Sequence, residues 1–149
     1  MRRFPFHALL LIASFDFSSA FGQKNLSFNT QQQSGNFGSL TDLRRSAERG
    51  DAHAQWMLGN VYKVGSGISQ DYREAARWYA AASAQNFAEA QLSLGNLYEQ
   101  ERGVKKNYRQ AFLYYQAAAR QGLPIAENNL AALYEQGRGT ARNPAEARR

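Results

Sequence analysis

The sequence contains no cysteine and only two histidines among its 149 residues. Without cysteine there is no disulfide framework, no thiolate metal site and no cysteine for a bacterial lipoprotein anchor. His7 lies in an N-terminal apolar segment, so His53 is the sole histidine in the rest of the chain. One histidine cannot form a metal-binding cluster, and no nucleophile motif or pair of acids accompanies it. The sequence therefore predicts no metal, no cofactor, no catalytic residue and a protein that is not an enzyme.

The sequence also lacks a hydrophobic run long enough to cross a membrane. Its main apolar run, residues 4–15, follows Met1-Arg2-Arg3 and precedes a stretch of small residues, which is the order of a secretory signal peptide. About 12 apolar residues are too few, because a transmembrane helix needs about 20. We expect residues 1–22 to be a signal peptide cleaved after Gly22, with Ala20 as the alternative site. No transmembrane segment would then remain, and the protein would be secreted or periplasmic.

Residues 23–38 are rich in Gln, Asn, Ser and Gly and show no sustained hydrophobic period, so they are expected to form a flexible linker. The formal net charge is +6. Such a charge serves solubility or attracts anionic glycans and lipids. Interspersed acidic residues favour solubility, and no nucleic-acid partner is expected. The exceptions are Lys105-Lys106 and the basic end of the chain.

The dominant pattern is a repeat with a period of 36 residues. Three stretches align without a gap, and their positions are Ala54-Gln55-x-x-Leu58-Gly59-x-x-Tyr62, Ala90-Gln91-x-x-Leu94-Gly95-x-x-Tyr98 and Ala126-Glu127-x-x-Leu130-Ala131-x-x-Tyr134. The same register continues through Gly67, Gly103 and Gly139, and then through Ala75, Ala111 and Ala147. A fixed period of this length predicts one supersecondary unit stacked on itself, usually as a binding surface.

Helix start and stop signals recur with the same period. Capping-box sequences predict that the second helix of each unit begins at Asp71, Asn107 and Asn143. Residues that adopt left-handed backbone conformations readily end the preceding helices at Gly50, Asn86 and Gly122. A further helix is expected from residue 39 to about residue 49. The predicted fold is all-α, a right-handed α-solenoid of antiparallel helix pairs over residues 39–149, with units at about 47–82, 83–118 and 119–149, the last incomplete.

Together these motifs resemble those of a known repeat family. The order Ala-Gln-x-x-Leu-Gly-x-x-Tyr, a Gly-x-Gly loop, Asp or Asn, and Ala-x-x-Trp/Tyr-Tyr-x-x-Ala is similar to that of the Sel1-like repeats, relatives of the tetratricopeptide repeats. Tetratricopeptide units have 34 residues, so the longer period and the Gly-x-Gly loop favour the Sel1-like class. The resemblance covers residues 39–149 and implies an adaptor or scaffold, often secreted or in a bacterial envelope. Glu101, in place of the first loop glycine, and Thr140 depart from the pattern.

Candidate binding residues are those that differ between units, because the repeated small and aromatic residues are expected to form the core. On the opposite face of the first helices they are His53, Trp56, Asn60, Leu92, Asn96 and Asn128. Trp56 is the predicted anchor, since large aromatic residues dominate interface energetics, and the asparagines could bond a peptide backbone. The alternative is that Trp56 packs on its neighbouring helix. The predicted function is protein–protein adaptor, and the alternatives are a binder of anionic glycan or lipid and a hydrolase.

The third unit is shorter than the other two. Its second helix is expected to start at Asn143, a few residues before Arg149, so an apolar flank is expected to lack cover. That flank consists of Leu130, Leu133 and Tyr134. Solenoids normally close such an end with a polar capping repeat. The sequence leaves open pairing with another copy as a homo-oligomer, pairing with a different partner, and a truncated product.

Overall fold

A computed structural model describes residues 38–148 of the chain. The expected signal peptide, residues 1–22, and all but the last residue of the expected linker lie outside the described residues. From Leu43 onward the chain forms one compact unit.

This part of the chain is built from helices joined by short loops. They are α1 (Leu40–Glu48), α2 (Ala52–Val64), α3 (Tyr72–Ala84), α4 (Ala88–Gln100), α5 (Tyr108–Ala119) and α6 (Pro124–Gln136), followed by a short 3-10 turn at Glu146–Arg148. From α2 to α6, each helix packs against the next one along the chain. No strand occurs within residues 38–148. The expected all-α solenoid is confirmed, with α2, α4 and α6 as first helices and α3 and α5 as second helices of the repeats.

The second helices begin at the predicted capping residues. The Asp71 carboxylate accepts hydrogen bonds from the backbone N–H groups of Arg73 and Glu74 at 2.8 and 3.1 Å. Asn107 accepts one from the N–H of Gln110 at 3.1 Å. These bonds satisfy donors that the first turn of a helix leaves free. Asn143 accepts a bond from the N–H of Glu146 in the same way at 3.3 Å, but within the described residues a 3-10 turn follows it where the sequence predicts a second helix.

Residues with a left-handed backbone conformation end the helices at two repeated positions. Gly50, Asn86 and Gly122 have φ values of 96°, 62° and 79°, as the sequence predicts. The loop after each first helix begins with a second such set, in which Gly65, Glu101 and Gly137 have φ values of 80°, 58° and 63°. Glu101 therefore holds a conformation that costs a residue with a Cβ atom about 1–2 kcal/mol.

Each mid-helix glycine of the repeat lies beneath a buried tyrosine. Tyr79 and Tyr115 are fully buried. A Cβ atom at Gly59 would lie 2.5 Å from Cε1 of Tyr79, and one at Gly95 would lie 2.6 Å from Cε1 of Tyr115. Each of these glycines therefore permits a close contact with a ring from the second helix of the same repeat. This packing offsets the poor helix propensity of glycine.

In the first two repeats, the glutamine of the Ala-Gln motif joins the first helix to the residues that follow the second helix of the same repeat. Gln55 and Gln91 are buried polar residues. Gln85 donates to Oε1 of Gln55 at 2.9 Å, and Gln121 donates to Oε1 of Gln91 at 2.8 Å. Buried amides need such partners, since an unsatisfied buried polar group is costly. The repeated Gln is therefore a structural residue.

Candidate protein-binding surface

Trp56 lies between two helices. Its side chain is only 7% exposed, and its ring centroid lies 5.8 Å from those of both His53 and Phe87. The indole Nε1–H donates to Oγ of Ser93 at 3.2 Å. Trp56 therefore joins α2 to α4, the first helix of the next repeat, which is the packed alternative that the sequence left open.

Leu92 occupies the same position one repeat later and is also buried, whereas Asn128, one repeat further, is exposed. Trp56 meets the first helix of the following repeat through its bond to Ser93. The two large apolar residues at this register are buried and the polar one is exposed. Trp56 and Leu92 thus serve stacking, and Asn128 is the accessible member of the row.

Asn60 and Asn96 are held in place by buried tyrosines. The hydroxyl of Tyr79 donates to Oδ1 of Asn60 at 2.7 Å, and the hydroxyl of Tyr115 donates to Oδ1 of Asn96 at 2.7 Å. Both asparagines are half-buried. Nδ2 of Asn129 also donates to Oδ1 of Asn96, at 3.3 Å. Both asparagines are among the candidates predicted from the sequence. Their tyrosine partners are not, although each pair is separated by the same 19 residues.

Glu99 adds a carboxylate beside this network. Its Oε2 shares the single hydroxyl proton of Tyr115 with Oδ1 of Asn96, and each acceptor lies 2.7 Å from the hydroxyl oxygen. Burial raises the pKa of Tyr115 well above its usual value of 10.0, and the neighbouring Glu99 raises it further. Tyr115 therefore keeps its proton at neutral pH and acts as a fixed donor. The hydrogen bonds therefore hold the side chains of Asn96 and Glu99 in fixed positions beside Tyr115.

The C-terminal apolar residues are better covered than expected. Leu133 is only 1% exposed, while Leu130 and Tyr134 are half-buried. The Tyr134 ring packs edge-on against Phe112 of α5, with centroids 5.2 Å apart. The expectation that Leu133 lies on an uncovered flank is wrong, because α6 packs against α5 and the 3-10 turn.

Metal-binding chemistry finds no support in the part of the chain that the structure describes. Residues 38–148 contain no group of three or more His, Cys, Asp or Glu side chains placed to hold a metal ion. His53 lies beside the rings of Trp56 and Phe87, with centroid distances of 5.8 and 6.0 Å. Within the same residues, none of the helices has the length and apolar character required to span a bilayer.

Comparisons with known proteins agree with this architecture. The sequence profile of the Sel1 repeat family matches residues 52–87, 88–123 and 124–149. The crystal structure of a Sel1 repeat protein from Oxalobacter formigenes is 37% identical, with a TM-score of 0.69 over 72% of this chain and 44% of that one. That of c5321, a protective antigen of uropathogenic Escherichia coli with an SLR fold, is 28% identical, with a TM-score of 0.74 over 98% of this chain and 32% of that one.

The chain thus spans less than half the length of these two proteins. Helicobacter pylori cysteine rich protein B is 25% identical, with a TM-score of 0.56 over 81% of this chain and 86% of that one, but the present sequence has no cysteine. No curated protein sequence matches the chain significantly. The chain belongs to the Sel1 repeat family, whose non-catalytic solenoid scaffolds generally mediate protein–protein interaction.

Proposed function

We propose that the protein is a secreted or periplasmic adaptor that binds a protein or peptide without catalysing a reaction. The proposed contact surface is the asparagine face, which consists of His53, Asn60, Asn96 and Asn128. The observation that carries this proposal is the pair of tyrosine-held carboxamides at Asn60 and Asn96.

The two carboxamides are suited to binding a polypeptide backbone. Tyrosine hydroxyls occupy their Oδ1 atoms, so the Nδ2 donors are left for carbonyl oxygens of a partner. The side chains already have fixed orientations before a partner arrives. Binding therefore loses less side-chain entropy than it would with free asparagines.

Charges along the same helices add selectivity. The register that holds Glu99 in the second repeat holds Lys63 in the first and Glu135 in the third. Glu99 is half-buried and forms no ion pair with any residue from 38 to 148. A basic side chain of a partner would supply the missing charge, and a partner with an acid there would be repelled. This pattern favours one orientation of the partner on the face.

The binding proposal is tested by replacing the Nδ2 donor of each asparagine with a carboxylate oxygen, which is an acceptor. Asn60→Asp and Asn96→Asp keep an oxygen for each tyrosine and remove the Nδ2 donors. The matched control is Asn143→Asp with Gln136→Glu, which changes the net charge equally; Asn143 is at a capping position where Asp71 already occurs, and Gln136 is exposed. In a pull-down from the cell envelope, we expect the first double variant to lose partners that the wild type and the control capture.

Equal capture by all three proteins, or equal loss in both double variants, would refute the asparagine face. Asn60→Asp alone provides a second variant. The residue of the first repeat that is equivalent to Glu99 is Lys63, so the new carboxylate at position 60 is not placed beside another carboxylate there. The location is tested separately by cell fractionation and N-terminal sequencing. A mature protein that begins at Gln23 or Phe21 supports export, and an intact N-terminus in the cytoplasmic fraction contradicts it.

A further inference from the structure

The loop between α4 and α5 differs in charge from its counterparts in the other repeats. At the same register the first repeat has Ser69-Gln70-Asp71, the second Lys105-Lys106-Asn107 and the third Ala141-Arg142-Asn143. The backbone is closed in the same way each time, by N–H bonds from Asp71, Asn107 and Asn143 to the carbonyls of Tyr62, Tyr98 and Tyr134 at 2.9, 3.0 and 2.9 Å. The fold therefore does not require the two lysines.

These lysines line a surface groove with a volume of about 610 Å³. We call it the lysine groove, and its lining residues are Tyr98, Val104, Lys105, Lys106, Asn107 and Gln110. Lys105, Lys106 and Asn107 are exposed. A volume of this size lies within the range of small-ligand sites, which is about 300–1,000 Å³.

Neither lysine is neutralised by a carboxylate. Between residues 38 and 148, no Asp or Glu forms an ion pair with Lys105 or Lys106. The ammonium of Lys106 lies 5.8 Å from the centroid of the Tyr108 ring, whose other cation contact is Arg138 at 5.0 Å. Aromatic contact positions a cation without cancelling its charge. The groove therefore presents positive charge next to the first turn of α5, where the helix dipole adds to it.

We propose that the lysine groove binds a carboxylated sugar of an acidic polysaccharide. Ammonium groups supply charge-assisted bonds to the carboxylates. The carboxamides of Asn107 and Gln110 supply both donors and acceptors for hydroxyl groups. A membrane surface fits less well, because the loop of residues 101–107 contains no aromatic residue and only one large apolar residue, the half-buried Val104. This site is separate from the asparagine face and does not depend on it.

The first repeat supplies substitutions that this backbone already accepts, Lys105→Ser and Lys106→Gln. The control is Arg73→Gln with Arg120→Gln, which changes the net charge equally at two exposed arginines whose side chains form no ion pair in the described region. The probes are oligogalacturonate, neutral dextran oligosaccharide, and vesicles containing phosphatidylglycerol. Calorimetry at two ionic strengths measures each affinity.

We expect wild type and control to bind oligogalacturonate and not dextran, with affinity falling as salt increases. The lysine variant should bind about tenfold more weakly or worse, because two charge-assisted hydrogen bonds are lost. Lys105→Ser alone should show a smaller loss in the same direction. Equal weakening in the control would mean attraction by net charge and would overturn the site.

Binding to vesicles but not to oligogalacturonate, or to neither probe, would also overturn the proposal. Variants of Asn60 and Asn96 should keep full affinity for the sugar. The lysine groove and the asparagine face can therefore fail independently.

Discussion

Gly103 lies directly against the backbone of Tyr72 in the preceding repeat. A Cβ atom at Gly103 would overlap both the carbonyl carbon and the carbonyl oxygen of Tyr72. Gly139 meets the backbone of Tyr108 in the same way. In the second and third repeats, this loop glycine is therefore the point of contact with the start of the preceding second helix.

This contact makes Gly103→Ala strongly destabilising. Gly67 is a matched control, because its φ of 72° nearly equals the 71° of Gly103 and nothing lies within 4 Å of its Cβ position. Gly67→Ala should lower the free energy of unfolding by about 1–2 kcal/mol, the cost of the left-handed conformation. Gly103→Ala should cost about 1–3 kcal/mol more through overpacking. Urea unfolding measures both, and equal losses would contradict the close contact.

Gly95→Ala should destabilise the protein although alanine is the better helix former. Helix propensity alone predicts a gain of about 1 kcal/mol. The added Cβ would clash with the Tyr115 ring, at a cost of about 1–3 kcal/mol. The control is Ala131→Gly, since the third repeat already accommodates a Cβ atom at the equivalent position. At position 131 we expect glycine to lower the free energy of unfolding relative to alanine. Denaturation curves that show alanine to be the more stabilising residue at both positions 95 and 131 would refute the packing argument.

Glu101→Gly should stabilise the protein. Glu101 is exposed and has a φ of 58°, while the equivalent residues are Gly65 and Gly137. Glycine removes the strain but gains entropy in the unfolded chain, so the net gain should be about 0.5–1 kcal/mol. Glu101→Ala keeps the positive φ and should give little gain. If Glu101→Ala raises the thermal midpoint as much as Glu101→Gly does, the gain comes from removing the negative charge and not from relieving backbone strain.

Tyr115 should make folding stability sensitive to alkaline pH. Its folded-state pKa is raised, chiefly by burial, so the unfolded state loses this proton first. The contribution is present below about pH 10 and falls as pH rises further, because the folded state then binds more protons than the unfolded state. Tyr115→Phe should lower the free energy of unfolding by about 1–2 kcal/mol near neutral pH, where hydrogen bonds to Asn96 and Glu99 are lost.

The difference between Tyr115→Phe and wild type should narrow above about pH 10. Urea unfolding of both proteins at neutral and alkaline pH measures it. A difference that stays constant over this range would show that the hydroxyl does not titrate differently in the two states.

Trp56→Ala should mainly lower the free energy of unfolding, because Trp56 packs between helices. Loss of a packed aromatic residue costs about 3–5 kcal/mol, and Trp56 also donates to Ser93. Asn128→Ala is the control at the same repeat position and should change the free energy of unfolding by less than about 0.5 kcal/mol, since Asn128 is exposed. A fully stable Trp56→Ala protein would contradict the stacking role.

Most of the fold could be predicted from local pattern. Asp71 and Asn107 cap helices through their own nearby backbone, so their roles can be recognised from sequence alone. The candidate surface was less predictable. Trp56 and Asn128 occupy the same position of the repeat, yet Trp56 is buried and Asn128 is exposed. Trp56 is buried against a helix that follows it by more than thirty residues in the sequence, and a local pattern does not reveal such a contact.

The sequence by itself determined the period, the helix boundaries and the residues at the centre of each repeat, because these depend on spacing and on short-range backbone bonding. Only the tertiary structure decided that Gly103 contacts Tyr72, that Gln55 and Gln91 bond to Gln85 and Gln121, and that tyrosines orient Asn60 and Asn96. Each of these depends on a partner from another helix or loop, and the distance between the two groups is set by how the helices stack.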